Sequence, residues 1–230
     1  MSQKEKYSTQ ILRVDCKNGF FEVLNDMFQA PFNKVHFNFV TYDEHTKKQT
    51  RSLNIYLDIG KTLLLCNDIL SGKLNATVKK AKTTGNFNNV PINDFTAYFL
   101  DLGGISEQKV ASKIDNYQSK HPWLQPGTAL SRQFKIQAGQ KMPWVFRAEY
   151  GPGRSNETGL IAPIGKAEEA ITIPLSNEDL KIFALTIQMH LQAYYNQFYS
   201  KLSDNVYKDE DIKVYNKNTQ HVQGYQQYNN

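Results

Sequence analysis

Apolar and polar positions alternate first in KVHFNFVTY, Lys34 to Tyr42, where Val35, Phe37 and Phe39 fall on one side and His36, Asn38 and Val40 on the other. A two-residue period is that of a half-buried strand. The polar run Asp43 to Thr50 predicts a hairpin connection, and RSLNIYL, Arg51 to Leu57, alternates again with Leu53, Ile55 and Leu57 on one face. Asp58 is placed to cap a helix over about Ile59 to Leu70, its carboxylate accepting from the free N–H groups of the first turn, and Ser71-Gly72 closes that helix. From Thr83 to about Leu130 the pattern weakens under Gly85, Pro91, Gly103-Gly104, Pro122, Pro126 and Gly127, which predicts a connector with one or two short helices near Glu107 to Tyr117.

Alternation returns in RQFKIQ, Arg132 to Gln137, followed by a turn at Ala138-Gly139-Gln140. PWVFRAEY, Pro143 to Tyr150, is a second strand, Gly151 to Asn156 a loop, and Thr158 to Ile164 a third strand. Gly165-Lys166 is then a turn and AITIPL, Ala170 to Leu175, a fourth strand. Ser176 with Asp179 has capping-box spacing, and a long helix to about Leu202 repeats apolar residues at Leu180, Phe183, Ala184, Ile187, Leu191, Tyr194, Tyr195 and Phe198. The last stretch, 203–230, has a short acidic patch and then Asn, Gln and Tyr with few core-forming residues, so a mobile polar tail is expected.

RSLNIYLDIGKTLLLCNDIL (Arg51 to Leu70) and EAITIPLSNEDLKIFALTIQMHL (Glu169 to Leu191) share one plan. Each is an alternating strand, a leucine with a capping residue (Leu57-Asp58; Leu175-Ser176) and an amphipathic helix. The expected fold class is therefore α+β, two antiparallel sheet-plus-helix modules related by an internal repeat. The modules would occupy 1–82 and 131–202, with 83–130 as an insert and 203–230 as the tail. This order of elements resembles the Whirly fold and its relative, the fold of the positive-cofactor-four coactivator. The likeness covers about Asn33 to Lys82 and Leu130 to Leu202; the Lys-Gly-Lys-Ala-Ala-Leu motif of plant Whirly proteins is absent, Gly60-Lys61-Thr62-Leu63 matching only loosely. The resemblance implies binding of single-stranded DNA across sheet surfaces and edges, with oligomerisation through helices.

Charge agrees in sign with a polyanionic partner: 27 Lys and Arg against 22 Asp and Glu give +5, with a pI near 9.0. Single strands are held by rings under the bases and cations along the backbone. The first module offers Tyr42, Arg51 and Tyr56, beside His36, Asn38 and Asn54; the second offers Phe134, Lys135, Lys141, Trp144, Phe146, Arg147, Tyr150 and Arg154. On Pro143 to Tyr150 the alternation leaves two readings open, Trp144 and Phe146 as stacking platforms or as core. Lys73, Lys79, Lys80 and Lys82 form a basic cluster that reads either as phosphate-neutralising or as solvated surface.

Other chemistry is sparse. Cys16 and Cys66 make no Cys-x-x-Cys pair, and His36, His45, His121, His190 and His221 are scattered. YGPGR (Tyr150 to Arg154) and Gly165-Lys166 lack Walker-type spacing and read as hairpin loops, and Glu22, Asp26, Asp43 and Glu44 are the upstream acids best placed to pair as carboxylates of a metal nuclease. No catalytic residue, metal or cofactor is expected, so the chain reads as a binding protein rather than an enzyme. The polar start, Met1 to Gln10, and the absence of any apolar run near 20 residues predict a cytoplasmic protein with no membrane partner. The expected partner is single-stranded DNA, bound with little sequence preference, with RNA and self-association left open. Frequent Lys, Asn, Tyr and Ile fit an AT-rich genome, and with it a replication, recombination or conjugation system of a low-GC bacterium or mobile element. The alternative is a protein-interaction or scaffold module without nucleic-acid affinity.

Overall fold

A computed structural model of the chain describes residues 9–77, 97–139 and 141–206, with side chains to residue 200. Two antiparallel sheets with helices make an α+β fold. The first sheet is a meander of β1 (Gln10–Cys16), β2 (Gly19–Leu24), β3 (Lys34–Tyr42) and β4 (Gln49–Asp58), each strand bonded to the next in chain order, and α1 (Ile59–Leu70) follows it. Phe37 stands opposite Ile55 and Phe39 opposite Leu53, so the inward parity read from the sequence is the register of the ladder. The β3–β4 turn is fixed by Asp43, whose Oδ1 accepts from the backbone N–H groups of His45 and Thr46.

The second sheet orders β5 (Ala97–Ile105), β6 (Ala129–Ala138) and β7 (Trp144–Ser155). Two strands share the far edge of β7: β8 (Ile161–Pro163) pairs with Gly153–Ser155, and β9 (Glu169–Leu175) pairs with Trp144–Tyr150. Between β5 and β6 lie α2 (Glu107–Ala111) and α3 (Ile114–Gln118). Last comes α4 (Asn177–Val206). Its start is the capping box that the sequence showed: the Ser176 hydroxyl accepts the Asp179 N–H at 3.0 Å, and the Asp179 carboxylate accepts the Ser176 N–H at 2.9 Å.

Rings join the two sheets. Phe21 meets Phe146 at 5.2 Å between centroids, Phe37 meets Phe134 at 5.3 Å, and Phe183 of α4 lies 5.0 Å from Phe146. Such edge-on pairs add about 0.5–1.5 kcal/mol each beyond the area they bury. The chain divides into two units, 1–188 and 189–230, with both sheets in the first. In the second unit the described part of α4 carries rings one turn apart, Tyr194 on Phe198 and Tyr195 on Tyr199, both stacked.

Four expectations change. Asp58 makes no side-chain cap on α1, because its carboxylate takes the Lys34 ammonium at 2.5 Å instead. The stretch read as a connector contains β5, a full strand of the second sheet. Residues 151–155, read as a loop, extend β7, and the strand expected from Thr158 shortens to Ile161–Pro163. The expected tail beyond residue 206 and the connector's first part lie outside the described residues.

Candidate nucleic-acid interface

β6 and β7 pair Arg132 with Tyr150, Phe134 with Ala148 and Ile136 with Phe146. Arg132 thus shares the parity of two core residues, yet it lies at the strand end where a polar cleft of about 1010 Å³ begins. One wall is the edge of β4, from Gln49 to Tyr56; the other is the stretch Lys113 to Trp123 around and after α3. Arg132, Tyr150 and the start of β9 complete it.

The second wall is held by one carboxylate. Glu169 Oε1 accepts from His121 Nδ1 at 2.5 Å and from Trp123 Nε1 at 2.8 Å, and Arg51 Nε lies 3.9 Å from Oε2. Gln118 Nε2 donates to the Leu124 carbonyl, closing the loop on itself. Apart from the cleft, the Glu107 carboxylate accepts the N–H and hydroxyl of Ser155, which ties α2 to β7 and holds the Glu107 carboxyl below its usual range. The Tyr150 hydroxyl bonds to the backbone of Asn54 across the gap between sheets, and burial pushes that phenol up to about 12. His36 supports Tyr56: its ring stacks on the tyrosine at 4.7 Å while Nε2 meets Asn54 Oδ1 and Nδ1 faces Asp26.

Cations outnumber acids along the cleft. Arg51, Lys113, Lys120 and Arg132 stand against Glu168 and Glu169, and Glu169 is already engaged. The Arg132 guanidinium lies 5.1 Å from the Tyr150 ring centroid and 5.7 Å from that of Tyr56. Its Nε is buried without a hydrogen-bond partner, and it makes no ion pair among the described residues. An arginine held by ring faces, with no carboxylate on it, keeps its outer Nη donors available to an incoming anion. Rings of Tyr56, Tyr117, Trp123 and Tyr150 line the same space.

Of the residues named from sequence, the cleft gathers Arg51, Tyr56 and Tyr150. Trp144 and Phe146 are core, 2 % and 0 % exposed, so the core reading of that face holds and neither is a stacking platform. Lys135, 5 % exposed, is also inside, its ammonium 2.6 Å from Glu149, and Arg147 donates to the same carboxylate and to Thr172. These two cations are engaged by their own sheet because they stand directly opposite one another on β6 and β7, with Glu149 two residues along. Tyr42 gives its hydroxyl to the Cys16 carbonyl, and Lys73 pairs with Asp68. Lys141 and Arg154 are exposed and do not line the cleft. Lys79, Lys80 and Lys82 lie outside the described residues.

The sequence reading did not single out Lys113, Tyr117, Lys120, Trp123, Arg132 or Glu169 as binding residues. Two signals were present: a cation in phase with Phe134 and Ile136, and the mixture of cations and rings in YQSKHPW, Tyr117 to Trp123. Among the described residues no group of three or more His, Cys, Asp or Glu could hold a metal ion, and no helix is long and apolar enough to cross a membrane. No family model, curated protein or solved structure matches the chain.

Proposed function

We propose that the chain binds single-stranded nucleic acid, DNA in the first place, with the cleft around Arg132 as the seat of the strand. The observation that carries this reading is the Arg132 guanidinium, poised between two tyrosine rings and satisfied by no carboxylate. Arg51, Lys113 and Lys120 supply further phosphate contacts, and the rings offer stacking surfaces that only unpaired bases can use, each stacked base contributing about 1–3 kcal/mol. Backbone charge and stacking are blind to base identity, so binding is largely sequence-tolerant and weakens with salt.

The order of elements supports the Whirly-like reading. Four antiparallel strands and a helix fill residues 10–70; β5, β6, β7 and β9, again followed by a helix, lie within residues 97–206, with β8, α2 and α3 as additions. We read the halves as two copies of one unit.

The chain has two tryptophans, Trp123 in the cleft and Trp144 in the core, so the test has a built-in reporter. Titration with oligo-dT at low salt is expected to quench Trp123 emission, and Trp123→Phe removes the signal while anisotropy still reports binding. Arg132→Gln is expected to weaken binding about tenfold and to lower the salt slope by roughly 0.7, one phosphate contact on a single strand. No binding at low salt would end the proposal. A defined oligomer without oligonucleotide affinity would favour a protein-interaction module, for which α4 offers Ile182 and Leu185, both 50 % exposed.

A further inference from the structure

One edge of the His121 ring is accounted for and the other is not. Nδ1 faces the Glu169 carboxylate at 2.5 Å. A carboxylate only accepts, so the proton of the neutral ring sits on Nδ1 and Nε2 is left as an acceptor. Nε2 has no partner among the described residues, and it is not closed off from solvent as the Arg132 Nε is. His121 is 8 % exposed and lines the cleft, so this bare nitrogen opens there. Holding the cleft's second wall needs Nδ1 alone and gives Nε2 no role.

The surroundings suit a proton acceptor. Glu169 is itself held by Trp123 Nε1 at 2.8 Å and lies 3.9 Å from Arg51 Nε. It fixes the tautomer of His121 and offsets the charge that the ring acquires when it takes a proton. The Tyr150 ring carries the His121 ring at 5.4 Å between centroids and the Arg132 guanidinium carbon at 5.1 Å from its own centroid. A proton acceptor and a cation free of any carboxylate thus lie against one tyrosine. Lys113 and Lys120 line the same space. Cations so placed stabilise the negative charge that gathers on phosphate oxygens during a displacement at phosphorus.

We propose that the chain cleaves single-stranded RNA in this cleft, with His121 Nε2 as the general base. The inference rests on the single-strand reading of the cleft. RNA brings its own nucleophile, the 2′-hydroxyl that DNA lacks. Nε2 takes the proton of O2′ while O2′ bonds to the adjacent phosphorus. The P–O5′ bond breaks, its electron pair leaves with O5′, and O5′ takes a proton from water. The imidazolium returns its proton to the hydroxide left behind. The products are a 2′,3′-cyclic phosphate and a 5′-hydroxyl. Arg132 holds the phosphate through the step. DNA is held by the same contacts and stays whole.

The test is a single-turnover incubation of the full chain, in excess and in EDTA, with 5′-labelled oligo-rU and oligo-dT of about 12 nucleotides, within the usual footprint of single-strand binders. Anisotropy of the same oligonucleotides reports binding. Oligo-rU is expected to be cut into fragments ending in a cyclic phosphate, and oligo-dT to stay intact. An oligo-dT carrying one ribouridine is expected to be cut only on the 3′ side of that residue, which tests the step without any substitution in the protein. His121→Gln, purified identically and shown by thermal melt to be folded, is expected to lower the rate about a hundredfold or more, the usual share of a general base. Oligo-rU that stays intact while oligo-dT binds, a cut at a deoxy position, or an unchanged rate in folded His121→Gln would overturn the activity and leave the strand reading standing. Failure of oligo-dT to bind would overturn the strand reading and this inference with it.

Discussion

The hydroxyl of Tyr150 accepts the backbone N–H of Asn54 at 2.9 Å and donates to the carbonyl of the same residue at 2.5 Å. β4 is the edge strand of its sheet, so at this residue a side chain from the other sheet stands where a neighbouring strand would be. The clasp also sets the floor of the cleft, because Asn54 and Tyr150 both line it.

Removing the clasp should be felt in stability first. Tyr150→Phe keeps the ring and strands one buried donor and one buried acceptor of Asn54, a change that costs about 1–3 kcal/mol. Urea unfolding should show a lower midpoint with an unchanged slope. A loss below about 0.5 kcal/mol, the floor for a typical hydrogen bond, would mean that water replaces the hydroxyl.

Alkaline pH should act through the same residue. Burial raises the Tyr150 phenol from 10.0 to about 12, so the folded chain holds this proton more tightly than the unfolded one. That stability is fully present below pH 10 and is lost as pH rises toward 12. Cys66, raised by burial from 9.0 to about 12, contributes in the same direction from pH 9 upward. Denaturation midpoints measured across this range should fall, and Tyr150→Phe should flatten the fall without abolishing it.

The ion cluster beneath β6 and β7 should be intolerant of partial removal. Lys135 and Glu149 are 7 % and 9 % exposed at their side chains, and Arg147 shares the carboxylate. Glu149→Leu takes from Lys135 and Arg147 the buried carboxylate they share and should cost about 3–5 kcal/mol, whereas Lys135→Met with Glu149→Leu should be far milder. Chemical denaturation of the two variants checks this ordering.

Glu169 should control the order of the cleft's second wall. Glu169→Gln removes the charge from the bonds to His121 and Trp123, each worth about 1.5–3 kcal/mol. Hydrogen exchange should accelerate across 113–124 while the amides of β6 and β7 stay protected.

The sequence revealed the fold where one face of an element is apolar and the other polar. β3, β4 and β9 have that form, and Leu180, Phe183, Ala184 and Ile187 mark the buried stripe of α4. β5 was hidden because AYFLDLGGI does not alternate and carries two glycines that read as punctuation. Gly104 is inside the strand for a packing reason, since a Cβ there would stand 2.1 Å from the Leu130 carbonyl oxygen. Alternation in β7 separated Trp144 and Phe146 from Arg147 and Glu149 without saying which pair faces the core; that is decided by Phe21 and Phe183, distant in sequence. The cleft was least legible, because its second wall exists through Glu169, 46 and 48 residues from the groups it holds.

The shared edge of β7 has a consequence for chain connectivity. The Ile164 amide bonds to the Pro152 carbonyl at 2.8 Å and the Glu168 amide to the Tyr150 carbonyl at 2.9 Å, so residues 165–167 form a short excursion pinned at both feet. Cutting the chain between Gly165 and Lys166 would leave both flanking strands zipped to β7. That makes this excursion a natural place to open new termini or to graft a reporter, a few residues from Glu168 on the cleft rim.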